Sequence, residues 1–324
     1  MIKYLNSIEV KEKKVILRVD YNVPMENGKI ANTKKIDDSL KTIDYLVENK
    51  AKIIILSHFG RVKTEADKEQ NSLKPVFDYM KSLDKYDIIF SAEPMGEMLD
   101  TMARTLNPCG IVLVENTRFM DLKGNLESEC DAQLAMYWAS LADIYIDDAF
   151  GSMHRRHASI TGIPKYLPSA VGFLVQEELD HLKPLITEPE RPFVVIMGGA
   201  KLNDKIELIY SLAEVADHIL LGGGIANTFL RSLGYDIGSS LVSNDALQNA
   251  RAIVQEFKDK IVLPKDAITS PSYSDTIYEL KNIDEILPDD VIGDIGAKAV
   301  ENYKKILEPA KTIFINGTVG MYEQ

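Results

Sequence analysis

A doubly wound α/β architecture, built twice along the chain, is the fold class this sequence predicts, and three observations predict it. Apolar, β-branched runs recur along the 324 residues, each ending abruptly in glycine, polar or charged residues. The runs are continuous rather than alternating, the pattern of strands buried on both faces of a parallel sheet. Amphipathic stretches of helical spacing separate them and supply the crossovers. At roughly 150 residues per domain, the length corresponds to two domains.

In chain order, the strands of the first half are VILRVDYN from Val15, KIIILSHFGR from Lys52, YDIIFSAEP from Tyr86, GIVLVENTRF from Gly110 and ADIYIDDAFG from Ala142. Ile36–Asn49 has the spacing of a crossover helix. Gly172–Ile186 reads as an amphipathic helix that ends or kinks at Pro184, and TEPERP (Thr187–Pro192) as a linker, which puts the domain boundary near Pro192. The second half continues with FVVIMGGAK from Phe193, HILLGGG from His218, KIVLPKD from Lys260 and TIFINGTVG from Thr312, with Asp204–Ala216 as a crossover. Trp138 reads as core, His181 as surface and the acidic stretch Asn282–Asp294 as an exposed loop.

Composition narrows the function classes. The 37 Lys and Arg against 49 Asp and Glu leave a net charge of −12, which argues against nucleic-acid or anionic-membrane partners but permits a local basic pocket for a small anion. The 2 cysteines, Cys109 and Cys130, exclude a disulfide scaffold or a cysteine-based zinc site and suit a reducing compartment. The N-terminal MIKYLNSIEVKEKK lacks the apolar stretch of a signal peptide, and no apolar run reaches membrane-spanning length, so a cytoplasmic protein is expected.

Ligands of open α/β sheets bind beyond the carboxyl ends of the strands, so the residues closing each run carry the functional reading. In the first half these are Asp20, Asn22, His58, Arg61, Arg118 and, past Asp148, the string His154-Arg155-Arg156-His157. Arg61, Arg118 and Arg155 follow separate strands, and a parallel sheet would gather them at one edge. Guanidinium forks there, with His58 and His154, match a small molecule carrying phosphate and carboxylate. In the second half the strand ends are Gly198–Lys201, Gly222–Gly224 and Asn316–Gly317. Glycines let backbone approach a ligand. A helix expected to start near Leu202 would carry Lys201 and Lys205 on one face near its positive end, which suits a polyphosphate. Neither Gly-x-x-x-x-Gly-Lys-Ser/Thr nor Gly-x-Gly-x-x-Gly is present at these glycines, so a Walker-type NTPase and a dinucleotide dehydrogenase are disfavoured. Facing guanidinium-lined and ammonium-and-glycine-lined rims point to phosphoryl transfer, which rests on positioning and charge stabilisation.

These blocks resemble the phosphoglycerate kinase family over nearly the whole chain. LRVDYNVP (Leu17–Pro24), SHFGR (Ser57–Arg61), ENTRF (Glu115–Phe119), DAFGSMHRRHAS (Asp148–Ser159), GGAKLNDKI (Gly198–Ile206), LGGGIANTF (Leu221–Phe229), DIGAK (Asp294–Lys298) and INGTVGMYE (Ile315–Glu323) stand in the family's order and spacing. The resemblance implies two Rossmann-like domains joined by a helix: a 3-phosphoglycerate-binding domain over 1–170, an interdomain helix over 171–187 and a nucleotide-binding domain over 188–324, with a cleft that closes by hinge bending. It implies reversible, glycolytic transfer of a phosphoryl group between ATP and the carboxylate of 3-phosphoglycerate. By position, Asp20, Asn22, Lys35, His58, Arg61, Arg118 and Arg155 would hold the acid, with Lys201, Lys35 and Arg155 at the transferring phosphoryl. Lys201, Lys205, Gly222, Gly223, Asn316 and Glu323 would serve the nucleotide, Glu323 at the ribose hydroxyls. The acceptor carboxylate is itself the nucleophile, so no side-chain base is required.

Departures from the family pattern carry expectations of their own. Lys35 stands where the family has an arginine bridging substrate and transferring phosphoryl, which predicts a rate lower by about 10²–10³, the scale of one lost transition-state donor. Ala297, Ala299 and Thr318 replace other usual family residues. The sequence ends at Gln324, ahead of the family's magnesium-binding Asp and its last glycine-rich segment. Magnesium of Mg-ATP or Mg-ADP is therefore expected to be held mainly by the nucleotide, with no protein metal site. The second sheet is expected to be incomplete, an association hazard in an otherwise monomeric protein. A second reading follows from the same departures: a non-catalytic or strongly impaired binding protein that keeps the acid-phosphate pocket.

Overall fold

Residues 2–275 and 277–321 are described by a computed structural model of the chain. The chain divides into two compact units, Met1–His181 and Leu182–Gln324. In the first, the elements are β1 (Lys14–Arg18), β2 (Met25–Glu26), β3 (Lys29–Ile30), α1 (Lys34–Glu48), β4 (Lys52–Leu56), α2 (Asp67–Gln70) and α3 (Lys74–Ser82). They continue with β5 (Ile88–Ser91), α4 (Glu97–Thr105), β6 (Ile111–Val114), α5 (Ala132–Ala139), β7 (Ile144–Asp147), β8 (Ser169–Val171) and α6 (Phe173–Thr187), a helix whose residues from Leu182 on belong to the second unit. Six strands form a parallel sheet in the order β5-β6-β4-β1-β7-β8.

Alternation along each strand explains how continuous apolar runs build two cores. Val15 and Leu17 of β1 join Ile53 and Ile55 of β4 under α1 and α3, where Ile43, Leu46 and Met80 complete one layer. Ile16, Ile54 and Val112 face the other way, against Leu99 of α4 and Leu134 and Trp138 of α5. Trp138 is fully buried, as expected, with Nε1 donating to Pro94 O at 2.7 Å.

The second unit carries β9 (Phe193–Met197), α7 (Ile206–Val215), β10 (His218–Leu221), α8 (Gly223–Ser232), α9 (Leu247–Glu256), β11 (Ile261–Val262), β12 (Asp266–Ser270), β13 (Glu279–Asn282), β14 (Val291–Ile295), α10 (Ala297–Leu307) and β15 (Thr312–Asn316). A parallel sheet runs β11-β10-β9-β15, and an antiparallel sheet runs β13-β12-β14. Val195 and Ile219 pack under α7, α8 and α9, while Val194 and Leu220 face Tyr303 of α10. β15 is the sheet's edge, with Ile313 and Ile315 exposed. No helix among the described residues is long and apolar enough to cross a membrane.

Three local expectations are corrected. Asn282–Asp294 is not an exposed loop: it holds the end of β13, a capped 3₁₀ turn at Ile283–Glu285 and most of β14. Its charges masked Ile283, Ile286 and Val291, which are buried. α6 continues through Pro184 to Thr187, because the ring removes one donor close to a helix end that has only three residues left to run. The turn after Gly198–Lys201 is 3₁₀ at Asn203–Lys205, and the α-helix begins only at Ile206.

Candidate active site

In the first unit, β6, β4, β1 and β7 are sheet neighbours, so the segments leaving their carboxyl ends share one edge. Arg18, the last residue of β1, is wholly buried beneath it. Its Nε donates to Ser159 Oγ at 2.9 Å, Nη1 donates to Val19 O, and Nη2 lies 3.2 Å from His58 Nδ1. A guanidinium has no acceptor. His58 Nδ1 therefore accepts, and the neutral ring carries its proton on Nε2. Burial first, then the charges of Arg18, Arg118 and Arg155, hold the His58 pKa down to about 2.

His157 is buried beside the same charges. Burial, then Arg118, Arg18 and Arg155, hold it down to about 4. Its Nδ1 lies 3.7 Å from Oε1 of Glu127, a fully buried carboxylate that accepts from the backbone N–H of Ser159 at 2.9 Å and from its hydroxyl. Burial raises the Glu127 pKa, and Arg18 opposes it. Burial lowers the Arg118 pKa, Asp121 opposes, and the charges of Arg155 and Arg61 add to the shift. Arg118 thus lies within the charge of both Arg155 and Arg61. Arg118 Nε is buried without a hydrogen-bond partner, and among the described residues the arginine ion pairs are those of Arg191 and Arg231, not of this cluster.

The loops that carry the cluster are fixed by two side chains. Glu115 Oε1 accepts from the backbone N–H groups of Leu73 and Asn116, each at 2.7 Å, and Asn116 Oδ1 accepts from those of Phe59 and Arg118, each at 3.0 Å. The segments after β4 and β6 are thereby tied together. On the other flank, Asn22 Oδ1 accepts from Gly60 N at 3.0 Å, and Lys35 Nζ pairs with Asp20 Oδ2 at 3.1 Å.

In the second unit the ends of β9, β10 and β15 form a cradle of backbone. Gly223 has φ +61°, and a Cβ on Gly224 would come within 2.3 Å of Ala200 O, so a side chain at either position would strain or push apart the cradle. A cavity of about 150 Å3 opens there, lined by Gly199, Ala200, Gly223, Gly224, Asn227 and Leu241 among others. Lys205 Nζ donates to Gly198 O at 2.9 Å and lies 3.4 Å from Asn316 O, which brings an ammonium to the junction of two strand ends; burial lowers its pKa.

Comparison with known proteins agrees with this geometry. The family described as phosphoglycerate kinase matches residues 5–324. The chain belongs to that family. It is 45% identical over 322 residues to a phosphoglycerate kinase of Macrococcus caseolyticus, covering 99% of this chain and 81% of the relative. It is 45% identical over 325 residues to one of Mesomycoplasma hyopneumoniae, covering 99% and 80%. Among solved structures, phosphoglycerate kinase from Coxiella burnetii superposes with a TM-score of 0.84 at 34% identity, covering 100% of this chain and 82% of that one.

Within this family member, the structure brings together most of the residues singled out in the sequence of the first unit. Asp20, Asn22, Lys35, His58, Arg61, Arg118 and Arg155 all lie at the loaded sheet edge or bond to a residue that does. His154 is not the second ring of the cluster: it is exposed, and His157 is the buried one. Lys201 and Lys205 do not share an α-helical face, because both precede α7; Lys201 is exposed, while Lys205 turns back onto strand ends. Gly223 lines the cavity, but Gly222 packs instead against Val319, whose Cβ would lie 2.5 Å from a side chain there. Asn316 contributes its carbonyl, which accepts from Gly198 N at 3.0 Å. Glu323 lies outside the described residues. Sequence reasoning missed Arg18, Glu127 and Ser159, which read as strand and loop residues because their partners are up to 141 positions away.

Proposed function

We propose that this chain moves a phosphoryl group reversibly between ATP and the carboxylate of 3-phosphoglycerate, as a glycolytic phosphotransferase with a carboxyl-group acceptor. One observation supports the acid subsite above all: the Arg118 guanidinium lies within the charge of both Arg155 and Arg61, and none of the three is in an ion pair among the described residues. Arg118 and Arg155 are half-buried and Arg61 is exposed, so the three guanidiniums remain open to an anion, and a compact molecule with a phosphate and a carboxylate would engage them bidentately. His58, neutral, offers an N–H rather than another charge. Asp20 and Asn22 suit the acid's hydroxyl, and Lys35 extends the positive field toward the transferring phosphoryl.

In the second unit, Lys205 and Lys201 would neutralise nucleotide phosphates against the glycine cradle, with Gly222, Gly223 and Asn316 shaping its floor. Transfer between ligands held on two units requires the two loci to meet during turnover. Magnesium would arrive on the nucleotide. It dehydrates reluctantly and is held through substrate phosphates with one or two carboxylates. The ion would supply charge neutralisation of the phosphates; orienting the acid is left to the arginines. We read the enzyme as a monomer of a reducing compartment, where the free thiols Cys109 and Cys130 are stable.

A coupled assay with Mg-ATP and 3-phosphoglycerate tests the reading. Turnover is expected, with Lys201→Ala strongly impaired; equal rates in the two proteins would refute the assignment of Lys201, and no turnover in either would refute the activity. No observation favours a non-catalytic binding protein.

A further inference from the structure

We propose that Gly293 determines base specificity in the nucleotide site: its missing side chain joins the cavity above the glycine cradle to a second cavity, so that the site takes purine nucleotides enlarged on the base edge remote from the sugar. The inference rests on the reading that the cradle holds the nucleotide.

Gly293 is the unpaired residue of a β-bulge in β14, skipped between the pairs Ile268–Asp294 and Thr269–Ile292, and besides easing that bulge its missing side chain leaves space. Gly293 sits inside β14, and its φ is not in the left-handed region. A Cβ built there would meet only Ile268 O, at 3.8 Å, an ordinary contact. Glycine weakens a strand interior and commonly marks close approach of a ligand or another backbone. At Gly224 a side chain would collide with backbone; at Gly293 it would enter open space.

That space lies between two cavities. Gly293, Tyr273 and Met321 line both the 150 Å3 cavity at the cradle and a neighbouring one of about 280 Å3, whose other walls are Ile268, Ser270, Tyr278 and Asp294. Met321 N donates to Gly293 O at 3.0 Å, which fixes the methionine against the strand. Leu241 N donates to the Tyr273 hydroxyl at 2.7 Å, and Leu241 O accepts from Asn227 Nδ2 at 3.2 Å, so the tyrosine shared by the two cavities is bonded to the wall of the first. Taken together the two spaces reach the lower part of the range of small-molecule sites, roughly 300–1,000 Å3.

The chemistry of a nucleotide sets which part of it reaches the second space. With phosphates at Lys205 and the cradle, the base follows through the ribose, and the edge bearing N6 and C2 is farthest from the sugar. The second cavity offers that edge tyrosine rings, which stack on bases irrespective of sequence, together with the serine hydroxyl of Ser270 and the carboxylate of Asp294. A substituent at N6 or C2 would extend into it past Gly293.

Equilibrium binding of ATP, N6-benzyl-ATP and 2-methylthio-ATP to the purified chain tests this. At least one analogue is expected to bind within tenfold of ATP. Gly293→Leu is expected to raise the ratio of analogue to ATP dissociation constants at least tenfold, and Gly293→Ala to raise it less. Thermal melting verifies that each variant folds, and the alanine variant carries the test if the leucine variant does not. A penalty above tenfold for both analogues in the unaltered chain, or an unchanged ratio in the variants, overturns the proposal. Failure of the unaltered chain to bind ATP at all would instead overturn the cradle reading on which it stands.

Discussion

Removing the Arg118 guanidinium tests the acid subsite at its centre. Arg118 is half-buried, its Nε has no hydrogen-bond partner among the described residues, and burial together with Arg155 and Arg61 lowers its pKa. A hydrogen bond to a charged group contributes about 1.5–3 kcal/mol, so Arg118→Ala should weaken 3-phosphoglycerate binding by roughly 10- to 150-fold. Arg118→Lys should recover part of that loss, because it keeps the charge without the planar fork. A second readout is independent of ligand. After burial, Arg118 is the largest influence holding His157 at about 4. In the alanine variant the His157 ring should titrate closer to its ordinary value, followed by proton NMR of the imidazole between pH 3 and 8 (roughly the span of its folded and unfolded pKa values). Binding by calorimetry and titration by NMR should move together. Unchanged affinity with an unchanged His157 titration would show that Arg118 neither faces the anion nor belongs to the cluster.

Lys35→Arg restores a two-pronged donor beside Asp20 and should raise kcat by up to about 10²-fold in the coupled assay; a lower kcat would mean that the ammonium, and not a guanidinium, fits this geometry. His157, depressed to about 4 in the folded state against about 6.5 unfolded, binds its proton more tightly when unfolded, so its contribution to stability is present above pH 6.5 and is lost as pH falls toward 4. Between pH 7 and 5 that loss is about 2 kcal/mol. Asp148, raised to about 6 by burial, acts in the opposite sense over the same window, so the comparison must be His157→Gln against the unaltered chain: denaturant melts at the two pH values should show a smaller acid loss in the variant. Gly224→Val should weaken nucleotide binding at least tenfold, because its Cβ would sit 2.3 Å from Ala200 O; unaltered ATP affinity in a folded variant would place the nucleotide elsewhere.

The strands that build the parallel sheets were legible because each is a short, continuous β-branched run, and their closing residues could be inspected without knowing the fold. Arg61, Arg118 and Arg155 could be grouped because parallel strands deliver their ends to one edge. What the letters hid has a common cause. The Arg18–Ser159 bond spans 141 positions, and Glu127 looks like any surface glutamate in ESECD until its burial is seen. His154 and His157 are two histidines in one string, and only the turn at Phe150–Ser152 decides which of them is buried. The antiparallel sheet of β12, β13 and β14 escaped because its strands are short, each carries charged residues or lacks a continuous apolar run, and they lie among acidic turns. The lysines were misplaced for another reason: spacing of four implies a shared face only if the helix has already begun, and here a 3₁₀ turn intervenes.

Charge distribution, rather than net charge, separates this surface from an ordinary one. The chain has 49 acidic side chains against 37 basic ones, ample to neutralise every arginine. Elsewhere several cations are paired: Lys34 with Asp38, Lys85 with Asp44, Arg191 with Asp217 and Lys281 with Asp290, mostly at exposed positions where such pairs add little stability. At the loaded edge of the first sheet, where burial makes each charge more expensive to leave alone, the carboxylate at the base of the cluster is Glu127, and it serves Ser159 and Arg18 rather than the outward guanidiniums. The two nearby imidazoles are held neutral. A fold optimised for stability alone would have placed carboxylates beside the outward guanidiniums. The cost is tolerated because two packed cores on opposite faces of the same sheet support the edge, and it is relieved when an anion occupies it, since any ligand bound only by the folded state adds its own binding free energy to stability.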